Sequence, residues 1–582
     1  MRLPQRNACA GALASNKPRR TAIAPVILIA SRIADTPDPG RTRRDGYGKT
    51  ACWPDRRAAG EGLALQQGFE KRLGDVINKG GDVLYGGLKG VEKESLRIRP
   101  DGLLATTPHP EGLGSALTNR YITTDFSEAL LEFVTPAFAT TWEALRCICD
   151  IHQFTYGHLG DELLWTASMP CRIPSDRKIP LARYGDSNVG RMKTIYRRGL
   201  GHRYGREMQL IAGVHFNYSL PEAFWPVYQD VLGSDLSRMD FRSEHYLAMI
   251  RNFRRMGWII LYLFGASPAV CRTFAAASNL EALNAGTWFE PWATSLRMSD
   301  LGYSNKNQSR INISLNSLDE YVRDLSKAIN TPEPAYEEIG VKVDGEYRQL
   351  NANLLQIENE YYSPVRPKRV TRSGEQPTAA LRRDGIEYVE VRSLDTSMFD
   401  PSGISQNTMR FIEAFLIYCL LQDSPEISAS EMEEISWNHT ATATRGREPD
   451  LALRRDGGRI GLQAWAGEIL DGVQVVADAI DRDGDNYSAA VQQLHTCVAD
   501  PDATPSGRII NELETTGSSF FDFALQTAER HRDYFASITP LSGARETVLA
   551  DEAAASVLRQ KDIEAADEIS LDEYLQSYFR AC

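Results

Sequence analysis

Apolar positions recur at two periods along the chain, and the switches between them mark its organisation. Residues 62–78 repeat at helical spacing, and the pair Gly80–Gly81 just past Lys79 predicts where that helix stops. Leu88 to Ile98 reads as a strand, followed by a turn at Pro100–Asp101–Gly102. Residues 129–135 predict a second strand and 141–163 a long helix opened by Thr141. Segment 211–220 (IAGVHFNYSL) alternates cleanly and predicts a third strand. Helices are predicted over 241–264 and 316–328, with further strands over 353–361 and 385–394. From residue 405 onward the pattern is almost wholly helical. Strands and helices mix without the regular alternation of a doubly wound sheet, which predicts an α+β fold on a mainly antiparallel sheet. The expected layout is a basic, disordered extension over 1–60, a mixed domain over 61–404, and a helical region over 405–582 packed on it.

The chemistry lies in acids placed inside strands. Glu92 and Glu94, two apart in GVEKESLRI, share one strand face, while Val91, Lys93 and Ser95 point the other way. Two such carboxylates about 4 Å apart repel by roughly 4 kcal/mol at an effective dielectric of 20. A divalent cation removes that repulsion, and hard oxygen ligands suit Mg2+, which usually also holds substrate phosphates. In TTDFSEALLEFVTP, Asp125 precedes a strand and Glu132 sits between Leu130–Leu131 and Phe133–Val134. His215, Asn217 and Ser219 share a face of the third strand, and Tyr388, Glu390 and Arg392 share a face of the last. A single strand acid usually faces solvent, but acids recurring in several apolar strands point to metal-dependent phosphoryl chemistry.

Composition narrows this further. The net charge of −12 on 582 residues disfavours a nucleic-acid binder, which needs a basic face. Residues 1–60 carry +8 and contain no Glu, so the remainder is more acidic still. Against that background, three basic segments stand out as anion sites: GRMKTIYRRGLGHRYG with Tyr196 and Arg197, TSLRMSDLGYSNK with Arg297 and Tyr303, and SPVRPKRVTRSGE with Arg366 and Lys368. The run Trp258 to Phe264 is too short to cross a membrane, and so is Ile23 to Ala30. Nine scattered cysteines without a CxxC pair suit reduced cytoplasmic thiols. Gly48-Lys49-Thr50 lacks the first glycine of a phosphate loop, Gly199-Leu200-Gly201 lacks the third of a dinucleotide fingerprint, and the aspartates at 481, 483 and 485 lack the twelfth-position Glu of a calcium loop.

With these residues in view, the chain closely resembles the bacterial glutamate–cysteine ligase family. The matching blocks run in order from VEKESLRI through LGSALTNRYITTDFSEALLEFVTP, YRRGLGHRYG, GVHFNYSLPEAFW, ATSLRMSDLGYSNK and LQIENEYYSPVRPKRVTRSGE to GIEYVEVRSLD. The resemblance implies a glutamine-synthetase-like catalytic domain, a curved antiparallel sheet with helices on its outer face. It implies ATP-dependent joining of the γ-carboxylate of L-glutamate to the amine of L-cysteine through a γ-glutamyl phosphate, the first step of glutathione biosynthesis. Glu92, Glu94, Asp125, Glu132, His215 and Glu390 match metal ligands for Mg2+, or Mn2+ in its place. Arg392, at the transferred phosphate, Arg297 and Glu94 match the catalytic set. Arg197 and Arg297 match carboxylate-binding arginines, and Tyr196, Tyr303 and Tyr362 match the lining of the cysteine side. The expected partners are the two amino acids and ATP, with neither nucleic acid nor membrane, and the expected state is a cytoplasmic monomer. The same residues leave open a γ-glutamyl ligase for another amine, or a nucleotide-binding relative without turnover.

Overall fold

The computed structural model describes residues 56–274, 279–302, 308, 311–372 and 374–580. Two units divide the chain, Met1–Arg56 and Arg57–Cys582, and the sheet and its surrounding helices belong to the second. Most of the basic extension, with the Gly48-Lys49-Thr50 motif, lies outside the described residues, as does Tyr303.

In chain order the principal elements are α1 (Arg56–Gly80), β1 (Leu88–Ile98), β2 (Ile122–Thr124), β3 (Leu130–Val134), α2 (Thr141–Tyr156), β4 (Leu163–Leu164), α3 (Asn188–Tyr204), β5 (Val214–Ser219), α4 (Arg238–Met256), α5 (Trp258–Phe264), β6 (Val365–Lys368), β7 (Tyr388–Leu394) and α6 (Gln406–Leu421). The seven strands form one sheet in the order β6-β7-β5-β1-β3-β2, with β4 paired to the end of β1. Every pairing in it is antiparallel, so the chain is a mixed helical and antiparallel-sheet protein. Among the described residues after α6, the regular elements are helical apart from the hairpin Ala452–Arg455/Gly458–Gly461.

Period-2 alternation dictates the two faces. Val91, Val214, Phe216, Tyr218, Val389 and Val391 join one apolar core with Ile250 and Phe253 of α4, Ile259 of α5 and Phe411 and Phe415 of α6. Truncating such a phenylalanine to Ala destabilises by about 3–5 kcal/mol. The alternate residues turn to the opposite face, which is polar.

Some elements depart from the sequence reading. The helix expected over 141–163 stops at Tyr156, and its cap is Thr140, whose hydroxyl accepts from the Glu143 N–H at 3.2 Å. The helix expected over 241–264 is two, broken at Gly257, where a Cβ would stand 2.5 Å from the Phe253 carbonyl. The strand expected over 353–361 is a loop ending in the 3-10 turn Glu358–Glu360. Its buried polar groups are satisfied by side chains instead of a ladder: Glu360 accepts from Arg203 and Tyr204, and Glu358 from Thr378.

Candidate active site

Register aligns the strand acids. Glu92 lies opposite His215, and Glu94 opposite Glu132, with Thr123 of β2 beyond it. Asn217 lies opposite Glu390, which in turn faces Arg366. One face of the sheet therefore collects Glu92, Glu94, Glu132, His215, Asn217, Arg366, Glu390 and Arg392 from five strands.

His215 is the hub. Its Nδ1 is 3.1 Å from Glu92 Oε2 and 3.9 Å from Glu390 Oε1, and its Nε2 is 3.7 Å from Glu94 Oε1. Asn217 Nδ2 donates to Glu92 Oε1 at 2.9 Å, and Gly213 N–H donates to Glu94 Oε2 at 2.7 Å. Arg392 Nη1 donates to Glu390 Oε1 at 3.0 Å, and Lys368 Nζ stands 3.6 Å from Glu390 Oε2. One ligand atom each from Glu92, His215 and Glu390 fits within 4.8 Å, close enough to share a metal ion. Carboxylate oxygens suit Mg2+ and Mn2+, and the imidazole nitrogen adds a softer donor. The donor set thus fits a divalent cation.

The electrostatics divide these acids into two groups. Burial alone would raise Glu390, yet Lys368, Arg392 and His215 hold its carboxyl well below the usual range. Burial also works against ionisation of Glu92, where the hydrogen bond and charge of His215 prevail and the carboxyl again lies low. Glu94 lies above the usual range because burial outweighs His215 and the arginines. Glu132 lies well above it, pushed there by burial and by Glu92, Asp125 and Glu94. Cations of the protein prevail at the first pair, whereas at the second pair burial and neighbouring carboxylates outweigh them.

The other predicted residues that the structure describes border this face. Arg197 of α3 donates from Nε to the Asp125 carbonyl and stacks 4.6 Å over the Tyr184 ring, with Nη2 4.0 Å from Asp125 Oδ1. Tyr196 precedes it, half-buried. Arg297 is buried and donates from Nη2 to the Arg392 carbonyl at 3.0 Å. Tyr362 donates its hydroxyl to Met298 Sδ at 2.9 Å. Tyr303 lies outside the described residues, so the structure does not place it. Arg366 and Lys368, singled out in the sequence only as part of a basic, anion-binding segment, belong to the same polar face. Their two-residue spacing puts both on one strand face, and the register sets them opposite Glu390 and Tyr388. Asp395, buried just after β7, was also missed, and no spacing rule distinguishes it from an ordinary strand end.

Known proteins share this arrangement of chain. The family model for glutamate-cysteine ligase matches residues 75–442. A glutamate–cysteine ligase of Alcanivorax borkumensis is 48% identical over 521 residues, covering 88% of this chain and 99% of its own. One from Shewanella oneidensis is 46% identical over 508 residues, covering 86% and 97%. The crystal structure of a glutamate–cysteine ligase from Francisella tularensis in complex with AMP superposes with a TM-score of 0.81 at 37% identity, covering 86% of this chain and 99% of that one. A bifunctional glutathione synthetase from Pasteurella multocida gives 0.63 at 25% identity, covering 81% and 55%. Among the described residues no helix is long and apolar enough to cross a membrane.

Proposed function

The chain belongs to the glutamate–cysteine ligase family, and from that premise we propose that the acid-bearing face of its sheet is where ATP-dependent joining of glutamate to cysteine takes place. In this reading the γ-carboxylate of L-glutamate is phosphorylated by ATP, and the amine of L-cysteine displaces phosphate to give γ-L-glutamyl-L-cysteine. The observation that carries it is the convergence of Glu92, His215 and Glu390 within metal-binding distance, with Arg392 bonded to Glu390 at 3.0 Å. We read the sheet as glutamine-synthetase-like, with residues 61–404 supplying the chemistry and 405–582 the helical support.

Glu92, Glu94, Asp125, Glu132, His215 and Glu390 are the proposed holders of Mg2+ or Mn2+, which when bound would offset charge developing on the phosphate oxygens. Arg392 adds a fixed guanidinium beside the transferred phosphoryl group, already oriented by Glu390, so little reorganisation accompanies the transfer. Arg197 and Arg297 take substrate carboxylates, for which a planar fork of donors is suited. Tyr196, Tyr303 and Tyr362 line the cysteine side. The attacking amine must shed a proton, and a carboxylate of the site, Glu94 among them, is the proposed acceptor. The mechanism needs no covalent enzyme intermediate.

Release of ADP tests this reading, measured with glutamate plus cysteine, with either alone, with other amines, and without divalent metal. The reading expects turnover only with both amino acids and metal, and a rate with cysteine above that with other amines. Equal rates across amines would refute the acceptor, and a full rate without metal would refute the site.

A further inference from the structure

Asp395 follows the last residue of β7 and is 4% exposed. A carboxylate withdrawn so far from water needs donors, and Asp395 has three. Its Oδ2 accepts from the Ala266 N–H at 2.8 Å and from the Ser267 hydroxyl at 2.6 Å. Its Oδ1 accepts from the Ser295 hydroxyl at 2.9 Å. Each serine therefore directs its hydrogen to Asp395 and turns its lone pairs elsewhere. Ser267 Oγ accepts from the Arg297 N–H at 3.3 Å, and Ser295 Oγ accepts from the Met298 N–H at 3.3 Å. The 3-10 turn Leu296–Met298 is thereby suspended from Asp395 through two hydroxyls.

The Arg297 side chain is tied to the same point. Its Nη1 lies 3.8 Å from Asp395 Oδ1, and its Nη2 donates to the carbonyl of Arg392. Gly213 leaves the space this needs: a Cβ there would stand 2.1 Å from Arg297 Nη2. The N–H of that same glycine holds Glu94. Arg297 is thus held between Asp395 and the Arg392 carbonyl, beside the glycine whose N–H holds Glu94.

We propose that Asp395 is the positioning residue of Arg297, fixing the backbone of its turn through Ser267 and Ser295 and its guanidinium through charge. The proposal rests on the reading of Arg297 as a ligand of a substrate carboxylate. Asn cannot substitute, because its amide nitrogen has no lone pair for a serine hydroxyl or the Ala266 N–H, and it brings no counter-charge to Arg297.

The test is steady-state kinetics on Asp395→Asn, Ser267→Ala/Ser295→Ala, Arg297→Gln and the Asp395→Asn/Arg297→Gln double variant, with Mg-ADP affinity measured by calorimetry. Arg297→Gln should raise KM for one amino-acid substrate by at least about ten-fold, the scale of one charge-assisted hydrogen bond. Asp395→Asn should raise the same KM by about ten-fold with a smaller change in kcat, leave ADP affinity within about two-fold, and add nothing in the Arg297→Gln background. The double serine variant should move the same KM in the same direction, which keeps the test intact if Asp395→Asn folds poorly. An unchanged KM in Asp395→Asn and the serine variant, or a full additional effect on top of Arg297→Gln, overturns the positioning role alone. If Arg297→Gln itself moves neither amino-acid KM, the carboxylate role of Arg297 falls, and the positioning claim with it.

Discussion

Glu94 on β1 and Glu132 on β3 stand directly opposite each other in the antiparallel register, both on the face that carries His215 and Glu390. Like charges in cross-strand positions repel, and burial strengthens the repulsion. Burial lifts both carboxyls above the ordinary range, Glu132 furthest, with Asp125 adding to each and Glu92 and Glu94 adding to Glu132. A carboxyl raised in the folded state contributes stability that is present at low pH and lost as pH rises through its folded pKa. In the metal-free enzyme the contribution of Glu94 and Glu132 to stability should therefore fall as pH rises above about 4.5, where ordinary carboxylates ionise. Added Mg2+ should raise the melting temperature more at pH 8 than at pH 5. Glu132→Gln should be more stable than wild type without metal at pH 8, with the gain shrinking toward pH 5. Melting curves across that range check this, and a metal-independent, flat difference would contradict it.

Behind the site, Lys89 of β1 pairs with Glu413 of α6 at 2.7 Å, both buried, and the Tyr487 hydroxyl donates to the same carboxylate at 2.5 Å. Breaking such a pair strands a charge in the core. Glu413→Gln should lower stability by about 3–5 kcal/mol, whereas replacing both partners with apolar residues of similar size should lower it much less. The midpoint of chemical denaturation reads both, and similar losses in the two variants would contradict the pairing argument.

Lys93 sits between the two site acids in sequence, yet strand parity turns it into the core. Its Nζ donates to His152 Nε2 at 2.8 Å, an assignment that follows because His152 Nδ1 is 2.7 Å from the Ile148 carbonyl and so carries the ring proton. Burial pushes the Lys93 ammonium down to about 7. Between that value and the unfolded pKa of 10.5 the unfolded chain binds one more proton, so this group makes stability rise with pH. Lys93→Met should exceed wild type in stability at pH 6, with the difference narrowing as pH approaches 9. Unfolding measured at several pH values checks it, and a constant difference would contradict the buried-charge account.

Much of the site was legible because the strand period is rigid. Once β1 was read over Leu88–Ile98, Glu92 and Glu94 had to share a face, and the same parity placed His215, Glu390 and Arg392. The sheet order was not legible, since register between distant strands depends on how the connections fold. The apparent strand over 353–361 shows the opposite failure: Gln356, Glu358 and Glu360 are buried in a loop, Gln356 donating to the Tyr196 carbonyl of α3, Glu360 accepting from Arg203 and Tyr204, and Glu358 from Thr378, which no periodicity reveals. Asp395 escaped notice for the same reason. Its importance lies in Ser267 and Ser295, each about 100 residues or more away.

The central claim is that acids from separate strands hold one divalent cation where phosphates bind. Titrating Mn2+ into the enzyme with ADP, and following free Mn2+ by electron paramagnetic resonance, tests it most directly. The account predicts bound Mn2+ in the wild type and an affinity weakened by at least about ten-fold in Glu92→Gln and in Glu390→Gln, the scale of losing a ligand. Unchanged Mn2+ affinity in both variants would contradict it.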